Sequence, residues 1–164
     1  GLARIANEFS NFARMPQPLK ENQDLVAIIK STVVVYEERE NYSIVLDIEN
    51  KKVDVLIDKA QIIQVLNNLI KNSIQALYGK EKGEISISCK AEKESVIVRV
   101  SDNGVGIKEL DKEKIFIPHF TTKSTGSGIG LSLVKQIIEN HSGEIWYNSE
   151  EDKGSVFTFK LPLN

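Results

Sequence analysis

Residues 59–78 place Ile62, Ile63, Leu66, Leu69, Ile70, Ile74 and Leu77 at the period of a helix with one apolar face. Asp58 stands where the first turn needs a cap, and Gly79 where the helix must stop. A stripe of this length has to be buried against a second layer. That layer is supplied by segments that alternate between apolar and polar residues. They are 43–48 and 53–57 before the helix, then 84–90, 95–101, 143–148 and 155–161 after it. Glu49-Asn50-Lys51-Lys52 joins the first two as a hairpin or a short crossing. A second helix pattern, 22–40, sets Leu25, Ile28, Ile29, Val33 and Tyr36 on one face, although its β-branched run 32–35 opposes helix. Another helix covers 131–140, and a short helical piece falls near 112–116. The expected fold is α/β: a two-layer sandwich of one mixed sheet with helices on a single face.

Composition narrows the functional classes. The formal net charge is −2 and the pI about 5.8, so nothing overall favours a polyanion, and no nucleic-acid partner is expected. The lone cysteine, Cys89, falls inside an alternating strand, which suits a buried structural thiol in a reducing compartment. No apolar run approaches the ~18–20 residues of a membrane span, and the first residues do not resemble a signal peptide. A cytoplasmic location is expected.

Between the strand ending at Ser101 and the helix beginning at Leu131 runs a long glycine-containing stretch, of a kind that tends to be functional in a compact domain. It carries three of four chemically suggestive segments. The first segment, Asn68-Leu69-Ile70-Lys71-Asn72, lies on the long helix instead. Its two amides are one turn apart on one face, and they fit a solvated surface or an oxygen ligand for Mg²⁺. Asp102-Asn103-Gly104-Val105-Gly106-Ile107 follows a strand. It fits a plain turn, or a carboxylate reading an exocyclic amine beside glycines that admit a flat base. In Ile115-Phe116-Ile117-Pro118-His119-Phe120-Thr121-Thr122-Lys123, aromatic rings can pin one end of a loop, and Thr121, Thr122 and Lys123 suit a polyphosphate. Gly126-Ser127-Gly128-Ile129-Gly130-Leu131 opens the last helix, where backbone N–H groups can converge on an anion. It is neither a Walker motif nor a Rossmann opening.

Together, in this order, the four segments resemble the N box, first glycine box, phenylalanine box and second glycine box of the histidine kinase branch of the GHKL ATPases. The resemblance spans about residues 58–162. It implies a Bergerat-type ATP-binding fold with ATP and Mg²⁺ as cofactors. Asn72 would ligate Mg²⁺, with Asn68 supporting it, and Asp102 would read the adenine amine beside Gly104, Gly106 and Ile107. Residues 118–128 would form a lid. Thr121, Thr122, Lys123, Gly126, Gly128, Gly130 and Leu131 would hold the phosphates, and Ser155 would stand near the adenine. Gln75 occupies a position where many members have lysine. Lys71 points about 100° away on the helix, so charge compensation is expected to shift to Lys123. His119 stands where a second phenylalanine is common.

Neither His119 nor His141 lies in a motif resembling the family's phosphoacceptor. Residues 4–16 instead resemble the end of the acceptor hairpin's second helix in sensor kinases of the nitrogen-regulation class. The expected division is therefore 1–18, hairpin end and linker, and 19–164, ATP-binding domain. The hairpin domain and a downstream response regulator are the expected partners. A monomeric fragment of a homodimeric parent is expected, because the usual dimer surface is that hairpin. The competing functions are an ATP-driven clamp and an anti-sigma serine kinase. The clamp relatives use a glutamate base where this chain has Asn68, whose amide accepts no proton at neutral pH.

Overall fold

The computed structural model describes residues 16–37, 39, 41–118 and 130–163. Residues 4–15 of the expected hairpin end fall outside them. In chain order the elements are β1 (Glu21–Asp24), α1 (Leu25–Val34), β2 (Tyr42–Ile48), β3 (Asp54–Ile57), α2 (Lys59–Ala76), β4 (Gly83–Ala91), β5 (Ser95–Asp102), a 3-10 turn (Glu109–Asp111), α3 (Gly130–Asn140), β6 (Glu144–Glu150) and β7 (Gly154–Pro162).

The helix expected over 22–40 is shorter at both ends. Its first residues form β1, which pairs antiparallel with β3, Glu21 opposite Ile57 and Asp24 opposite Asp54. Asp24 makes the change of direction: its carboxylate accepts from Val26 N, capping α1, and from Val53 N, each at 3.1 Å. The far end stops at Val34 within the β-branched run, where Thr32 Oγ1 turns back onto Ile28 O at 2.7 Å. Segments 43–48 and 53–57 are a crossing, not a hairpin, because β3 belongs to the ribbon with β1 while β2 joins the main sheet. The piece near 112–116 is a series of turns behind the 3-10 turn.

The main sheet has the order β2-β4-β5-β7-β6, with β2 and β4 parallel and every other pair antiparallel. Cross-strand partners share a face. The helix-facing rows therefore read Ile48–Cys89–Val98–Phe159–Ile145 and Leu46–Ile87–Val100–Phe157–Tyr147. These are apolar from edge to edge, and α2 covers them with Ile62, Val65, Leu66, Leu69 and Ile70. Cys89 is 1% exposed, and burial pushes its thiol up to about 11, so it is an inert core residue. Among the described residues no helix is long and apolar enough to cross a membrane.

The start of α2 is tied to the end of α3. Asp58 caps α2 by accepting from Gln61 N at 3.1 Å and also accepts from Leu19 N at 2.9 Å. Its own N–H donates to Nε2 of the buried His141 at 3.0 Å. A backbone N–H can only donate, so Nε2 carries no proton. Nδ1–H then donates to Ile137 O at 2.8 Å. Burial holds this ring below the usual 6.5, assisted by Lys20 and opposed by Ile137 O and Asp58. The folded state therefore prefers neutral His141. Its stabilisation is complete above the unfolded value and is lost as pH falls below 6.5 toward the folded value. We predict that His141→Ala costs about 1–3 kcal/mol at neutral pH, by orphaning Asp58 N–H. Denaturant unfolding at about pH 7.5 and about 5.5 should show the gap between the two proteins narrowing on acidification. An unchanged gap would exclude the linkage.

Candidate functional site

On α2, Asn68 and Asn72 are half-buried and Gln75 is exposed. Asn68 Nδ2 donates to Gln64 O at 2.9 Å, which turns Oδ1 toward the start of α3. There a Cβ added to Gly130 would lie 3.0 Å from that oxygen. The two segments, far apart in sequence, thus meet at Gly130, with Leu131 packed beside the core.

The other end of α2 receives the loop that follows β5. Val105 N donates to Ala76 O at 2.9 Å, and a Cβ on Gly104 would lie 2.3 Å from the same oxygen. Gly106 has φ +71°, and a Cβ there would lie 2.2 Å from Glu150 O. Asp152 N donates to Val105 O at 2.7 Å. The loop is wedged between the last turn of α2 and the β6–β7 turn. Both glycines are therefore required by protein backbone already against them, a reason that holds whatever binds nearby.

One sheet row breaks the apolar pattern. In the row Ile44–Ile85–Asp102–Ser155–Ser149, the last three members are polar although they face the helices. Asp102 Oδ1 accepts from Gly104 N at 2.9 Å, which fixes its carboxylate at the strand end. Ser155 is 5% exposed, and its Oγ lies 2.8 Å from Ser149 Oγ. Ser149 Oγ also accepts from Ile107 N at 2.8 Å and donates to Gly154 O at 3.1 Å. Ser149 was not among the residues singled out from sequence. The available signal was a serine at the third inward position of β6, after Ile145 and Tyr147.

The stretch ahead of residue 119 is pinned by aromatic packing, as expected from Ile115 and Phe116. Ile115 is buried, and Phe116 meets Tyr147 and Phe157 edge-on at 5.9 and 6.5 Å. Tyr147 stacks on Phe157 at 5.6 Å and donates its hydroxyl to Lys112 O. Lys135 Nζ sits 5.6 Å from the Phe116 ring centroid. His119, Thr121, Thr122, Lys123, Gly126 and Gly128 fall outside the described residues, as does most of the expected lid. Among the described residues no three His, Cys, Asp or Glu side chains gather as a metal cluster. A concavity of about 530 Å³ lies elsewhere, between the β4–β5 turn and the end of β7, lined by Glu92, Lys93, Glu94, Glu144 and Lys160 among others.

The sequence profile described as histidine kinase-, DNA gyrase B-, and HSP90-like ATPase matches residues 57–164. The chain belongs to this family. It is 36% identical to sporulation kinase B of Bacillus subtilis over 98% of the chain and 38% of that protein. It is 31% identical to nitrogen regulation protein NtrY of Azorhizobium caulinodans over 98% of the chain and 22% of that protein. The chain thus spans about a fifth to two fifths of these relatives. Among solved structures, the nucleotide-free catalytic domain of histidine kinase ThkA matches with a TM-score of 0.78 at 37% identity, covering 87% of this chain and 95% of that one. ThkA in complex with the response regulator TrrA matches at 0.83 and 32%, covering 99% and 47%. The expected α/β sandwich is the fold of these catalytic domains.

Gly104→Ala should destabilise the domain, because the new methyl meets a helix-end carbonyl and not a flexible side chain. We expect a loss of about 1–3 kcal/mol, read as a lower thermal midpoint of the nucleotide-free protein. A midpoint equal to that of the unsubstituted chain would show that the wedge relaxes freely.

Proposed function

We propose that this chain is the ATP-binding kinase unit of a sensor histidine kinase, which transfers the γ-phosphoryl of ATP to a histidine on a separate helical hairpin. The observation that carries the proposal is the polar end of an otherwise apolar sheet layer, Asp102–Ser155–Ser149, set beside a helix that bears Asn68 and Asn72 and meets Gly130. Asp102 is a charged acceptor suited to the amine of adenine. From Ala76, at the Asp102 loop, to Asn68, at Gly130, α2 runs about 12 Å. That separation suits a base at one end and phosphates at the N-terminus of α3, where first-turn backbone N–H groups and the helix dipole favour anions.

A magnesium ion fits the donor set. Asn72 offers one amide oxygen, and a hard cation that retains waters and substrate phosphates needs little more from the protein. When bound, that ion would screen the phosphate charge as the γ-phosphoryl leaves ADP. Thr121, Thr122, Lys123, Gly126, Gly128 and Leu131 would complete the phosphate site, with residues 118–128 as the lid. In this reading residues 1–18 lead to the hairpin, residues 19–164 form the catalytic unit, and the site operates in the cytoplasm. A response regulator would follow as partner, as TrrA does for ThkA. The fragment would be monomeric and the parent a homodimer. Asn68 argues against the clamp alternative, since it can orient but not deprotonate a water.

Two experiments test the proposal. Asn72→Ala should abolish the magnesium dependence of nucleotide binding while adenine recognition persists, measured by calorimetry with and without Mg²⁺; equal binding under both conditions in both proteins would remove the metal role. With radiolabelled ATP, the chain alone should neither label itself nor release phosphate beyond a trace. Adding the parent's hairpin in trans should give slow, concentration-dependent phosphohistidine on the hairpin, because proximity is lost. Label on His119 or His141 would overturn the external acceptor, and brisk phosphate release without a hairpin would favour the clamp.

A further inference from the structure

Ser149 has one proton to give and two lone pairs to offer. Gly154 O, at 3.1 Å, can only accept, so this contact takes the Ser149 proton. Ile107 N–H, at 2.8 Å, can only donate, so it takes one lone pair. The remaining partner is Ser155 Oγ at 2.8 Å, and the only capacity left on Ser149 is a lone pair. Ser155 must therefore donate its single proton to Ser149. Ser155, the cross-strand neighbour of Asp102, then keeps only lone pairs to offer.

We infer that Ser149 is a positioning residue for base selection, acting through Ser155. By holding the Ser155 proton away from Asp102, it makes the end of the sheet an acceptor-only surface: a carboxylate beside a hydroxyl that cannot donate. A purine with a six-amino group presents donors to such a surface. At the same position a six-oxo group presents only lone pairs, which meet like-signed oxygen. Ser149 also holds Ile107, the last residue of the wedged loop, so base selection and loop position share one hydroxyl. The inference rests on the adenine-nucleotide reading above.

Ser149→Ala removes the acceptor, releases the Ser155 proton and orphans Ile107 N–H. We expect ATP to bind about tenfold more weakly, while GTP loses less or gains. The ratio of ATP to GTP affinity should therefore narrow. Ser149→Thr keeps the hydroxyl and should restore the ratio. Because Ser149 acts through Ser155, the double variant Ser149→Ala/Ser155→Ala should show the same ratio as Ser155→Ala alone. Calorimetry with ATP and GTP on the whole chain, beside thermal midpoints of each variant, measures all of this. Equal weakening of ATP and GTP in Ser149→Ala would overturn the inference by making Ser149 a loop support only. So would additive changes in the double cycle, which also decides the matter if Ser149→Ala alone proves too unstable to titrate. The underlying reading is judged separately by Asp102→Asn: if the unsubstituted chain binds ATP and this variant does not lose it, the base site lies elsewhere and both conclusions fall.

Discussion

The structure depends on burying one face of the five-stranded sheet beneath α2. Ile62, Val65, Leu66, Leu69 and Ile70 are each at most 1% exposed. Each contributes about 1.5–3 kcal/mol by leaving water. Because two of the facing rows are apolar across every strand, α2 has only one depth and one rotation at which its stripe is satisfied. Its polar residues inherit that rotation: Asn68 and Asn72 sit at the margin of the contact, half-buried, where they can neither join the core nor leave it.

Both ends of α2 then act as fixed points for loops. At the start, Asp58 gathers Leu19, Gln61 and His141, which ties the segment ahead of β1 to the end of α3. At the finish, the Ala76 carbonyl, left without an intrahelical partner, accepts Val105 N and presses on Gly104. A helix that is rigid because it is buried thus positions segments that are not. The wedged loop holds Asp102 through Gly104 N, so the carboxylate's direction follows from the packing of a helix end about a dozen ångströms from Asn68.

The proposed site coincides with the places where local rules are broken. Two asparagines interrupt an apolar helix, and three oxygen-bearing side chains occupy inward positions at the end of three strands. Such violations cost stability, and proteins retain them at functional sites. The glycines of the loop show that one residue can answer two demands. Gly104 and Gly106 were read from sequence as room for a flat ligand, and the fold already uses both to bring backbone against backbone.

The amino-acid sequence by itself determined the periodic elements: the stripe of α2, the alternation of β4, β5 and β7, and the capping aspartate at 58. It also determined the motifs whose order carried the family resemblance, because these are local patterns of residue type. It did not determine that residues 21–24 form a strand. Their preference is weak, and only the presence of β3 across the ribbon, with Asp24 bonded to Val53 N, makes extended structure favourable. For the same reason the crossing from β2 to β3 could not be told from a hairpin, since strand partners are chosen by the whole sheet. Asn68 and Gly130, or Ser149 and Ile107, are neighbours only after the sheet and α2 have packed. Hydrogen bonds between segments this distant leave no periodic trace in the chain, so the contact of Ile107 N with Ser149 was a decision of tertiary structure alone.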